Sequence, residues 1–335
     1  MTRSVRIEYP GVVSHVMARR DARGPICHDL VRVFAEAAEA GSLVSNASWI
    51  DRKEYPFESR YFPVQAGWLH YVHEGTGSPI VMGHGNPTWS FLYRDLIKRL
   101  KPKYQCIAWD HLGFGLSDKP KDWSYLPKDH AKNLSALLDG LGLSKITLVL
   151  QDWGGPIGLS YAVAHPEKIA RLILVNTWAW PVNRDFRYLG FSSFMGGPVG
   201  RMLIHRYNFF ARVLLRQAFG DKSKLSKTAH MHYVRPLQEP EDRKGCMVFP
   251  KQIIASTPWL EEIWNGLSAL NGKPKLFVWG MKDIAFRDKE LKRWERIFPE
   301  ARSVRLGSVG HFVQEEAPNA LAKAVVLFLA QTDQA

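Results

Sequence analysis

The sequence predicts an α/β fold, a mostly parallel sheet of eight strands flanked by helices, with an inserted helical cap. Short apolar runs that end in Gly, Asp or Asn alternate with segments of 10–15 residues carrying helical periodicity. Crossovers of that kind force neighbouring strands to run parallel under helices on both faces. One stretch, about 181–265, breaks the alternation without a clear strand. The chain's 335 residues suit one large α/β unit with an insertion.

Residues 1–60 read as an extension. DLVRVFAEAAEA (29–40) repeats apolar residues at near-helical spacing before Gly41, and the rest drifts into polar loop. From Tyr61, YFPVQ and WLHYVHEG are two strands around Ala66-Gly67, a hairpin signal. PIVMG is a strand, SFLYRDLIKRLK a helix, QCIAW a strand and DHAKNLSALLDGLG a helix closing in glycine. KITLVL is a strand, GPIGLSYAVAHP a helix ended by proline, and IARLILV a strand. After the break come PKLFVWG, DKELKRWERIFP, RSVRLG and NALAKAVVLFLAQ as strand, helix, strand, helix. The expected division is an extension (1–60), a core (61–180 and 266–335) and a cap (181–265).

The apolar runs are too short to span a bilayer, and the basic N-terminus lacks the apolar core of a secretory leader. Cys27, Cys106 and Cys246 make neither a disulfide framework nor a zinc knuckle, so a reducing compartment, the cytoplasm, is expected. The net charge is +13, and residues 181–260 hold thirteen Lys/Arg against five Asp/Glu. That excess is ordinary surface charge, attraction for an anion, or a partner contact. No nucleic-acid motif accompanies it, and neither nucleic acid nor membrane is expected as a partner; the extension and the basic cap are the candidate surfaces for self-association. His230-Met231-His232 lacks further metal ligands, and no Walker or G-x-G-x-x-G loop occurs, so neither metal nor cofactor is expected.

In open α/β sheets ligands bind where the strands end at their carboxyl side. The polar residues there are His84-Gly85-Asn86, Asp110, Gln151-Asp152-Trp153, Asn176, Asp283 and His311. Asp152, Asp283 and His311 stand in the order nucleophile, acid, histidine of the α/β-hydrolases. Asp152-Trp153-Gly154-Gly155 falls at a strand-to-helix turn, with Leu150 and Asp152 replacing the first Gly and the Ser of G-x-S-x-G. A serine must lose a proton before attack, whereas a carboxylate is already charged at neutral pH and attacks saturated carbon directly. The resulting ester needs a base for its hydrolysis. His311 fits that role, with Asp283 holding the ring.

On DRKEYPFESRYF, HGNPTWSFLYRD, AWDHLGFGLSDKP, LVLQDWGGPIGL, VWGMKD and GHFVQEE, over about residues 51–330, the chain resembles the haloalkane dehalogenases of the α/β-hydrolase superfamily. The resemblance implies Asp152 as nucleophile, His311 as base and Asp283 as acid. It implies Trp153 and Asn86 as halide donors, with a small apolar halogenated substrate, water and a halide product. Uncharged N–H donors aimed at the departing halogen would stabilise developing charge in a dry site. Epoxide hydrolases are the alternative: they use the same nucleophile with two cap tyrosines, for which Tyr188, Tyr207 and Tyr233 are available. Fluoroacetate dehalogenases need arginines beside the nucleophile, where Trp153 stands. A scaffold without activity predicts a broken triad, and all three members are present.

Overall fold

The computed structural model describes residues 48–333. The strands are β1 (Arg60–Val64), β2 (Gly67–Glu74), β3 (Pro79–Gly83), β4 (Gln105–Trp109), β5 (Ile146–Gln151), β6 (Ile169–Val175), β7 (Lys275–Gly280) and β8 (Arg302–Leu306). They form one sheet in the order β1-β2-β4-β3-β5-β6-β7-β8. β1, β2 and β4 pair antiparallel, and all other pairs are parallel. The central strands are buried on both faces, which is why ITLVLQ and KLFVWG read as continuous rather than alternating apolar runs. Side chains still divide by face: Val81, Leu148 and Leu150 pack into one core, Ile80, Met82 and Val149 into the other.

Helices α1 (Arg94–Leu100), α2 (Pro127–Gly140) and α3 (Gly154–Ala164) connect the first strands. Between β6 and β7 the chain folds into α4 (Phe186–Gly196), α5 (Pro198–Tyr207), a π-helical turn at Phe210–Leu214, α6 (Lys227–Val234), α7 (Lys244–Ala255) and α8 (Thr257–Gly266). α9 (Asp288–Ile297), α10 (Val313–Glu316) and α11 (Pro318–Thr332) complete the core. No helix of the described residues is long and apolar enough to cross a membrane.

Residues 48–59 form a loop, as expected, but not a wholly polar one. Ile50, Tyr55 and Phe57 are buried. Tyr55 packs edge-on against Phe57 at 5.0 Å and lies 5.0 Å from Trp89, and its hydroxyl hydrogen-bonds Ser90 at 2.6 Å. The Asp51 N–H donates to His232 Nε2 of α6 at 3.0 Å. Arg52, Lys53 and Glu58 of DRKEYPFES face solvent while its two rings turn inward, a division that charge density alone conceals. The expected helix at 29–40, and Cys27, lie outside the described residues.

Candidate active site

β5 ends in Gln151, and the chain turns sharply into α3 at Asp152, whose φ is +49°. A residue with a Cβ rarely adopts that conformation, and here the surroundings enforce it. The Asp152 N–H donates to the Asn176 carbonyl at 3.1 Å, and the Thr177 hydroxyl donates to the Asp152 carbonyl at 2.6 Å. A methyl group at Gly155 would overlap Thr177, and one at Gly85 would overlap the Asp152 carboxylate. These contacts let the elbow close between β3 and β6 and thrust the Asp152 side chain into the cavity.

The loop after β3 is set by two buried, neutral histidines. The His84 ring donates through Nδ1 to the Gly85 carbonyl at 2.9 Å and accepts the His111 N–H at Nε2, also at 2.9 Å. His111 donates from Nε2 to the His84 carbonyl at 2.9 Å. Burial pushes the His84 pKa down to about 4 and that of His111 well below the ordinary value. The loop so fixed aims the Asn86 backbone N–H at Asp152 Oδ1, 2.9 Å away.

Burial raises the Asp152 pKa, and His311 with the backbone N–H groups of Trp153 and Asn86 offsets part of that rise. His311 Nε2 stands 3.7 Å from Asp152 Oδ2, and His311 Nδ1 hydrogen-bonds Asp283 Oδ2 at 2.8 Å. Burial disfavours the imidazolium, but Asp283, by charge and hydrogen bond, and then Asp152 outweigh it and raise the His311 pKa. The five residues named from sequence therefore converge: Asn86, Asp152, Trp153 and His311 line one cavity, and Asp283 lies beneath His311. Asp110, also at a strand end, is spent on structure, accepting from the Ser90 and Leu116 N–H groups and pairing with His70.

Two residues acquire roles that the sequence did not assign. Asn176 donates from Nδ2 to Asp283 Oδ2 at 2.8 Å and to the Gly280 carbonyl at 3.1 Å, while accepting the Gly280 N–H at 2.8 Å. It ties the ends of β6 and β7 together and sets the acid. Gln151 places its amide nitrogen 2.8 Å from His311 Nε2. Donation there fits the tautomer whose proton points from Nδ1 to Asp283. Their position at strand ends was the only available signal.

The cavity holds about 300 Å³ and joins strand ends to the insert through Tyr188, Phe191, Phe210, Leu214 and Ile253. The Trp153 indole N–H and the Asn86 side chain make no hydrogen bond with any described residue, and Asn86 Oδ1 is buried. Of the three tyrosines of the epoxide reading, only Tyr188 reaches the cavity, and its hydroxyl donates to the Ala285 carbonyl at 2.9 Å. Tyr207 faces solvent, and the Tyr233 hydroxyl donates to Glu315.

The family model for the α/β-hydrolase fold matches residues 78–318. Haloalkane dehalogenase 2 of Mycobacterium tuberculosis is 41% identical over 278 residues, covering 82% of this chain and 96% of that protein. A cis-3-alkyl-4-alkyloxetan-2-one decarboxylase of Shewanella oneidensis is 33% identical over 288 residues, covering 83% and 90%. Among solved structures, the haloalkane dehalogenase DatA of Agrobacterium tumefaciens C58 superposes with a TM-score of 0.75 at 28% identity, covering 82% of this chain and 96% of that one. The chain belongs to the α/β-hydrolase fold family and, within it, to the haloalkane dehalogenases.

Proposed function

We propose that the protein hydrolyses small haloalkanes to an alcohol, a halide ion and a proton through an alkyl ester on Asp152. The carrying observation is a carboxylate at a strained elbow, facing an apolar cavity beside two uncommitted N–H donors, Trp153 and Asn86. Asp152 Oδ2 attacks the halogen-bearing carbon, and the carbon–halogen pair of electrons leaves with the halide. The Trp153 indole and Asn86 amide meet that charge as it forms. A water then loses its proton to His311 Nε2, taking the place of the Gln151 amide, and attacks the ester carbonyl. Oδ1, held by the backbone N–H groups of Asn86 and Trp153, carries the transient charge. Asp283 stabilises the imidazolium, which returns its proton as the alcohol leaves, and Asp152, left as the carboxylic acid, releases the second proton of the water to solvent.

No cofactor is needed, because nucleophile, base and donors are all side chains. In this reading residues 181–265 form the cap that closes the site over a core of 61–180 and 266–335, and the enzyme works in the cytoplasm. Among the described residues Tyr188 alone of the tyrosines lines the cavity, and its hydroxyl is engaged, which favours carbon–halogen over epoxide opening. The purified enzyme is expected to release bromide from 1,2-dibromoethane and iodide from 1-iodobutane. Parallel assays use a terminal epoxide and a cis-3,4-dialkyloxetan-2-one. Turnover of either of these without any halide release from a broad haloalkane panel would replace the proposal.

A further inference from the structure

The outer face of the insert carries an apolar surface that extends well beyond the cavity. Among the described residues, eleven large apolar side chains stand out as exposed, and seven of them fall between residues 186 and 213: Phe186, Phe191, Phe194, Val199, Met202, Tyr207 and Val213. Phe186 is 87% exposed and Phe194 56%. Helical geometry groups them. Arg187, Gly190, Phe191 and Phe194 follow the i, i+3, i+4, i+7 spacing of one face of α4, and Val199, Met202 and Arg206 share a face of α5.

Charge says what this surface would meet. From Phe186 to Gly220 the chain has five arginines (187, 201, 206, 212 and 216) and no Asp or Glu. All five are exposed, and none forms an ion pair with a described residue; Arg187 donates only to the Ile284 carbonyl. A second copy of the same face would bring arginine against arginine, so the charge opposes self-docking. Exposed rings and aliphatic chains interleaved with arginines and free of carboxylates match an anionic lipid surface, where apolar side chains enter the headgroup region and cations pair with phosphate. Arg187 and Phe191 also line the cavity, so this surface runs up to its mouth.

We propose that the α4–α5 face docks reversibly on anionic membrane surfaces. This revises the sequence expectation of no membrane partner, which rested on the lack of a spanning segment and did not know which side of each helix faces out. The test is sedimentation of the full-length protein with vesicles of mixed phosphatidylglycerol and phosphatidylcholine, and with pure phosphatidylcholine, at low and high salt, alongside light scattering without lipid. The expected result is binding to the anionic vesicles only, weakened by salt. Arg201→Gln combined with Arg206→Gln should weaken it roughly 25-fold, about fivefold per charge. Phe194→Ser combined with Met202→Ser should weaken it at both salt concentrations. None of these four residues lines the cavity, so turnover and circular dichroism should match the unaltered enzyme. Failure to bind, equal binding to neutral vesicles, or a dimer that these substitutions dissociate would each overturn the proposal.

Discussion

Replacing His311 with phenylalanine is expected to give an enzyme that releases a single halide per active site and then stops. The first step needs only the Asp152 carboxylate, which His311 does not deprotonate. The second needs a base at Nε2, and phenylalanine has none. Steady turnover should fall by at least about 10⁴-fold, the scale on which loss of a base arrests covalent catalysis. After exposure to 1-iodobutane the intact protein should gain the mass of one butyl group, and peptide mapping should place it on Asp152. An unmodified mass, with iodide still released in repeated turnovers, would contradict the two-step scheme. The unaltered enzyme carries a related signature. Its base must be neutral, and during ester hydrolysis Asp152 is an uncharged ester, so Asp283, by charge and hydrogen bond, is what favours the His311 imidazolium against the effect of burial. Turnover limited by ester hydrolysis should therefore fall as pH is lowered and His311 takes up a proton.

Asp152→Asn should abolish both halide release and adduct formation, again by about 10⁴-fold or more, because a neutral amide oxygen is too weak a nucleophile to displace halide. The same substitution should raise the melting temperature. Burial lifts the Asp152 pKa in the folded protein, so at neutral pH the ionised side chain costs folding free energy that an amide does not. Loss of activity together with a higher melting temperature separates a missing nucleophile from a damaged fold; a lower melting temperature would show that the carboxylate supports the elbow rather than straining it.

The sheet was legible because each strand is a short apolar run closed by glycine or a polar residue, and the candidate site was legible because its members stand at those closures. Asp152, Asp283 and His311 are far apart in the chain, yet β5, β7 and β8 are neighbours or near neighbours in the sheet. What stayed hidden depends on side-chain direction. Gln151 was visible as a strand-end residue, but its amide contact with His311 exists only once β5 and the last loop are in place. Asn176 was likewise visible only as a strand-end residue, although its amide is what holds Asp283. In the insert, the sequence does not separate Phe210, which lines the cavity, from Phe186 and Phe194, which face out, or from Phe191, which does both. Tyr55 and Phe57 were masked by the charges around them.

The central claim is that the oxygen of the alcohol comes from Asp152 and that water replaces it there. A single turnover in ¹⁸O-labelled water, with enzyme in excess over 1-iodobutane, tests this most directly. The account predicts an alcohol without label and ¹⁸O in the carboxylate of the Asp152 peptide. Label in the alcohol of that first turnover, with none at Asp152, would mean that water attacks the substrate itself and would contradict the ester intermediate.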